Sequence, residues 1–348
     1  MPDDRFTRHR NTRRIRLSRA AAFLLAAMIP SHGALAEPAE KPGLPEIQQP
    51  FAALPRAATF KVADSDSDWV LIGPDAVWVA GQGPLRKIDP QTNREVMVVP
   101  LPGTACAGLA AGFGSLWVPI CSKKANSVLR VDAVSGAIVA TIPMGPPFEA
   151  GIAAGKDAVW FVVDGKTLIG IDPATNQPAR RVTLVDGSQV PAVDGDTVWV
   201  TSTAHDLVTA VDARTGAVVG TVSTGPKPHF LAAGGGAIWT LNQGDGSVTR
   251  IDAQNHAVLA TIALGLPGRG GDIAYGVGPA GKGLVVVTAV DVPLTIIDAQ
   301  LNRPLVQWKG PGGDSLRFGH GAIWLADYLS GNLFRIDPKA ALGQTGRD

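Results

Sequence analysis

Cysteine, charge and long apolar runs are all scarce in this chain. Only two Cys occur in 348 residues, and Asp, Glu, Lys and Arg together make up 18%. The apolar run AAAFLLAAMIP, residues 20–30, is eleven residues long. A bilayer helix needs roughly 20, and no later segment approaches that, which excludes a membrane-spanning helix. No stripe of Lys or Arg runs along the chain, which argues against nucleic acid as a partner, because that binding rests on neutralising phosphates. No sustained 3.6-residue apolar stripe occurs beyond residue 57, which excludes a helical domain there.

The run that is present has the form of an export signal. A cationic stretch, RHRNTRRIRLSR, precedes it and Ala34-Leu35-Ala36 follows, so residues 1–36 read as a leader cleaved near Ala36. Arg13-Arg14 leaves general secretion and twin-arginine export both open. Loss of the leader removes seven Arg and two Asp and moves the formal charge from +1 to −4. A periplasmic or secreted product is expected. Residues 37–57 carry five Pro without periodicity and read as an N-terminal arm.

From residue 58 to 348 one unit recurs. It is marked by PDAVWVA, GSLWVPI, DAVWFVV, DTVWVTS, GAIWTLN, GLVVVTA and GAIWLAD, centred on Trp78, Trp117, Trp160, Trp199, Trp239, Val286 and Trp324. The spacings are 39, 43, 39, 40, 47 and 38 residues. A second phrase follows each, such as VLRVDAVSG or VTRIDAQNH, and in six units a third, such as AVVGTVSTG. Each unit thus holds four short Val-, Ile- and Thr-rich runs separated by Gly, Pro, Asp and Asn. A period near 40 with four strands implies an all-β, seven-bladed β-propeller of four-stranded antiparallel blades. The seventh unit ends after its third strand, NLFRID, while ATFKVADS near residue 60 resembles a fourth strand. The N-terminal strand is therefore expected to complete the last blade and remove its open edge. The repeated Trp are expected between neighbouring blades. Asp89, Asp132, Asp172, Asp212, Asp252, Asp298 and Asp337 end third strands, where an Asp side chain starts a turn by accepting from the backbone that follows.

The phrases VLRVDAVSGAIVATIPMG and GPKPHFLAAGGGAIWTLN resemble the YVTN-type propeller proteins and, more distantly, the streptogramin (virginiamycin B) lyase-like propellers. The resemblance covers residues 58–338. The lyase resemblance implies a magnesium-assisted elimination with a His base at the head of an inner strand, the position of His229. VDARTGAVVG also resembles the docking repeat of quinone-cofactor propellers, which normally closes with Trp where this chain has Gly220 or Ala140. That family is set aside.

In a propeller, the loops from fourth to next first strand and from second to third lie on one face, around the channel mouth. Counting back from each Trp places Asp68, Cys106, Glu149, Gln189, His229 and Asp314 at inner-strand entrances, with Arg269 and Asp272 in the sixth unit. Without Cys106 and with His205 of the TSTAHDL loop, this polar ring is the candidate ligand-binding site. His205 and His229 are the two histidines on that face, with Asp206, Asn242, Asp245 and Asp327 in nearby loops. Zinc needs three or four N or S ligands in close geometry, whereas Ca or Mg held by carboxylates and carbonyls fits such loops more easily. No cofactor is firmly implied. If GFGS at 112–115 turns the second unit's first hairpin, Cys106 stands opposite Cys121, and an oxidising compartment would pair them. The expectation is a monomeric exported propeller binding a small molecule or periplasmic protein at its channel face, as an accessory or scaffold. The alternative is a lyase or lactonase using His229 as base.

Overall fold

The computed structural model describes residues 42–343 apart from 63–66, 122–125, 145–150 and 269. The expected leader, Glu149 and Arg269 lie outside the described residues. Seven blades follow one another along the chain, six of them built from consecutive phrases of the repeat and the seventh from three such phrases and an N-terminal strand. Blade one comprises Ser67–Ile72, Val77–Gly81, Leu85–Asp89 and Arg94–Val99, and the others repeat that meander. Blade four comprises Ser188–Asp194, Thr197–Ser202, Leu207–Asp212 and Val218–Ser223. Blade five comprises Pro228–Gly234, Ala237–Asn242, Ser247–Asp252 and Val258–Ala263.

Burial within a blade grades outward. The second strands are almost wholly buried, as in Val77–Gly81, Val159–Val163 and Ala237–Asn242, because blades pack on both of their faces. Such strands read as continuous apolar runs. The fourth strands, at the rim, are mostly exposed. Trp78, Trp117, Trp160, Trp199, Trp239 and Trp324 are at most 1% exposed. Burying a large aromatic side chain is worth about 2–3 kcal/mol by area.

The ring closes as expected. Ala58–Lys61 pairs antiparallel with Asn332–Ile336, Thr59 opposite Phe334. A strand from the N-terminal end thereby completes a blade otherwise built from the C-terminal end. A second pairing was not legible beforehand. Gln48–Pro50 lies parallel to Arg303–Lys309, Gln48 opposite Gln307, and gives blade six a fifth strand. The buried Gln307 fixes this segment: its Oε1 accepts from Leu44 N at 2.6 Å while its Nε2 donates to Leu264 O at 3.0 Å. Further along, the Arg56 guanidinium stacks over Phe51 and Phe334, 4.7 and 4.4 Å from their ring centres.

Blade six, whose Trp is replaced by Val286, solves its packing differently. Val286 is fully buried among Leu294, Ile296, Leu325 and Ile336. The short helix Pro338–Ala341 stands where other blades have a turn into their fourth strand, and Trp308 Nε1 donates to Ala341 O at 3.0 Å. An indole supplied from the fourth strand thus joins the apolar cluster that holds Val286.

Cys106 and Cys121 are disulfide-bonded, with Cα atoms 5.7 Å apart. Ala111 does oppose Leu116, but the inner strand is interrupted between Ala105 and Ala110, so Thr104 rather than Cys106 pairs with Cys121. The bond spans a bulge, closing diagonally onto the partner strand.

The repeated Asp side chains form the expected turns. Asp89 Oδ1 accepts from Gln91 N and Thr92 N at 2.7 and 3.2 Å, Asp132 Oδ1 from Ser135 N at 2.7 Å, and Asp252 Oδ1 from Gln254 N and Asn255 N at 2.9 and 3.0 Å. Asp337 uses the same bond to cap its helix, accepting from Lys339 N. These hydrogen bonds hold the carboxyls of Asp89, Asp132, Asp172, Asp212 and Asp252 below the ordinary carboxylate range. A carboxyl whose pKa is depressed by folding stabilises the fold above its unfolded value, about 3.9, and that contribution fades as pH falls through the folded value. Thermal unfolding should therefore move to lower temperature as pH drops from 5 to 3. In Asp212→Asn, which keeps the acceptor oxygen but cannot titrate, that fall should be shallower; an identical fall would remove the turn carboxyls from the account.

Candidate functional site at the channel face

The seven inner strands surround a cavity of about 60 Å³, room for a few waters, lined by Trp69, Leu109, Ile152, Val190, Phe230 and Arg317 among others. The expected ring of polar entrances sits close to this lining but mostly one residue away from it. Asp68, Gln189 and His229 each precede a lining residue, Trp69, Val190 and Phe230. The lining combines apolar side chains with Asp272 and Arg317, and Asp272 is the member of the expected ring that contributes to it.

Asp272 is 3% exposed and is held from several directions. Its Oδ2 accepts from Ser315 Oγ at 2.8 Å, from Leu316 N at 3.2 Å and from the Arg317 guanidinium; its Oδ1 accepts from Ile273 N at 2.9 Å. Ser315 Oγ also accepts from Val70 N at 3.3 Å. One carboxylate and one hydroxyl thus tie the inner strands of blades six, seven and one, the sector where the ring closes. A parallel tie joins blades four and five: Thr201 Oγ1 accepts from Val190 N at 3.2 Å and donates to His229 O at 2.8 Å.

His229 is 8% exposed, and its ring packs against Phe230 with centres 4.4 Å apart. His205 is exposed, in the turn between Ser202 and Leu207. Gln189 Nε2 donates to Thr203 Oγ1 at 3.1 Å, and Asp68 and Asp314 are half-buried at their entrances. The neighbouring loop acids are engaged locally. Asp206 Oδ1 accepts from Lys227 N at 2.7 Å, Asp245 Oδ1 from Ser247 Oγ at 2.7 Å, and Asp327 Oδ2 from Ser330 Oγ at 2.6 Å. Asn242 belongs to a buried cluster, donating to Ser247 Oγ at 2.9 Å and Thr249 Oγ1 at 2.8 Å while its Oδ1 accepts from Thr240. Among the described residues no group of three or more His, Cys, Asp or Glu gathers in a way that could hold a metal ion.

What the sequence reading missed on this face is apolar. Val290, in the second-to-third loop of blade six, is 64% exposed, and Tyr328 and Leu329, in the same loop of blade seven, are 45 and 53% exposed. Two adjacent loops thus present three large apolar side chains beside the channel mouth. A pattern of apolar residues inside an otherwise polar turn, DYLSGN and AVDV, was the available signal.

A family model described as "Outer membrane protein assembly factor BamB" matches residues 124–339, more than half of the chain. The chain belongs to the BamB family. Among solved structures, the crystal structure of BamB from Moraxella catarrhalis is similar, with a TM-score of 0.60 and 14% identity over 83% of this chain and 98% of that one. At that identity the likeness concerns the fold. No curated protein matches the sequence.

Within this BamB-family propeller, Asp272 joins the inner strands of blades six and seven through its hydrogen bonds to Ser315, Leu316 and Arg317. Removing Asp272 leaves the buried Ser315 hydroxyl and Leu316 N–H without their acceptor, at a cost of roughly 1–3 kcal/mol. Asp272→Ala should lose about that much stability in urea denaturation. A loss below about 0.5 kcal/mol, within the range of an ordinary surface change, would refute that joining role.

Proposed function

We propose that the mature chain is an exported, periplasmic accessory propeller that docks through its channel face onto a protein partner in outer-membrane protein assembly, without chemistry of its own. Membership of the BamB family supports the setting. The observation that carries the docking surface is the apolar group formed by Val290, Tyr328 and Leu329 on neighbouring loops of blades six and seven. Aromatic and aliphatic side chains held on short loops over a rigid sheet are suited to anchoring an interface. A cavity of about 60 Å³ is far smaller than the roughly 300–1,000 Å³ of small-molecule pockets, which favours a protein over a small organic ligand. A lyase or lactonase reading would need His229 presented to substrate, and its burial against Phe230 favours binding over catalysis. Ca or Mg is not needed by this reading.

The test is co-purification of the tagged mature chain with the β-barrel assembly machinery of its own cell envelope. The triple variant Val290→Asp, Tyr328→Asp, Leu329→Asp should recover at least tenfold less of that machinery while unfolding at nearly the wild-type temperature. Equal recovery by the variant, or none by the wild type, would refute the proposal.

A further inference from the structure

Away from the channel face, the rim carries two uncovered strand edges that lack charge and Pro. The fourth strands of blades four and five, Val218–Ser223 (VVGTVS) and Val258–Ala263 (VLATIA), contain neither charge nor Pro. Among the described residues, nothing pairs with their outer edges. Val218, Val219, Val258 and Leu259 are all about half exposed.

Folded proteins ordinarily blunt such edges with charge, Pro or cover, because an open edge is a template for another strand. The other blades do so. Arg94 and Glu95 open the fourth strand of blade one, Pro143 lies in that of blade two, and Pro178, Arg180 and Arg181 lie in that of blade three. Lys61 ends the fourth strand of blade seven, and Gln48–Pro50 covers that of blade six.

Blade six also shows how an edge of this kind is occupied. Every fourth strand but that of blade seven carries a bulge near its start, and Gln48–Pro50 pairs beyond it, with Gln307, Trp308 and Lys309. Val306 pairs with Ile296 just past the bulge, as Gly220 pairs with Ala210 and Ala260 with Arg250. The equivalents of Gln307–Lys309 are therefore 221–223 in blade four and 261–263 in blade five. In both, exposed residues flank one buried residue, Val222 or Ile262.

We infer that the rims of blades four and five bind an extended, β-forming segment of another polypeptide by strand addition, along 221–223 and 261–263. The occupant is an extended peptide of alternating apolar and polar residues. Backbone hydrogen bonds would supply affinity without demanding one sequence, while Val219 and Leu259 would favour apolar side chains. An unfolded membrane-barrel strand has that alternation, so the surface is compatible with the proposed setting but does not depend on it.

The probe is a fluorescent eight-residue peptide, Lys-Thr-Val-Thr-Tyr-Thr-Val-Lys, titrated into the full mature chain and followed by anisotropy and amide hydrogen exchange. Binding should slow exchange within 218–223 and 258–263. A peptide N-methylated at alternate amides should bind at least tenfold more weakly, and so should the original peptide to a Thr221→Lys, Thr261→Lys variant of unchanged melting temperature. Protection at Gln307–Lys309 or the channel face instead, no binding, or indifference to both changes would overturn the inference. So would sedimentation showing wild-type dimers that the Lys variant abolishes, since a second copy would then be the occupant. The variant altered at Val290, Tyr328 and Leu329 should bind the peptide normally, which separates failure here from failure of channel-face docking.

Discussion

The contact on which the ring depends is a cation laid over a buried indole and reaching into the next blade. Arg130 lies 5.1 Å from the Trp117 ring centre and donates to Asn176 Oδ1 of blade three at 2.9 Å. Arg250 lies 4.9 Å from Trp239 and donates to Asn302 Oδ1 of blade six at 3.0 Å. Arg335 lies 5.6 Å from Trp324 and donates to Asn93 Oδ1 of blade one at 2.6 Å, so the same device works across the chain's closure. Lys87 over Trp78 does it with a shorter reach, donating to Ala133 O of blade two at 3.2 Å. Between blades four and five His256 takes the cation's place, its ring 4.8 Å from that of Trp199. Gly220 leaves it room, since a Cβ there would sit 2.6 Å from Nδ1.

This device joins levels of structure that are usually argued apart. The Asp turn sets the backbone so that the residue four positions on has positive φ: 56° at Asn93, 58° at Asn176, 62° at His256 and 53° at Asn302. Asn tolerates that conformation better than most residues, and there its side chain is offered to the neighbouring blade. The Arg, in turn, covers the indole face, where cation–π attraction adds about 0.5–2 kcal/mol to the packing. Turn chemistry, strand pairing and interblade packing thus converge on one contact. It lies on the face opposite the channel mouth, which leaves the channel face and the rim available for partners.

The repeat period, the four-strand unit, the buried Trp, the Asp turns and the closing strand were all legible, because each is a local pattern stated seven times or nearly so. The pairing of Cys106 with Cys121 was legible from hairpin register, although the bulge between them was not. The Arg-to-Asn contact escaped because its halves lie in different repeats, 46 residues apart for Arg130 and Asn176 and 52 for Arg250 and Asn302. The strand at Gln48–Pro50 escaped because QQP has no β pattern of its own, and a partner edge selected it. At the channel mouth Asp68, Gln189 and His229 each stand one residue before a residue that lines the cavity, a distinction that counting back from each Trp does not resolve. Exposed apolar residues such as Val290 and Leu329 are invisible to a reading that treats loops as polar.

The central claim is that these paired contacts, not merely burial of Trp, hold neighbouring blades together. A double-mutant cycle on Arg250→Ala and Asn302→Ala, read by reversible urea denaturation, tests it most directly. The account predicts a coupling energy of about 1 kcal/mol between the two sites. Additivity within about 0.3 kcal/mol would contradict it, leaving the indoles alone to join the blades.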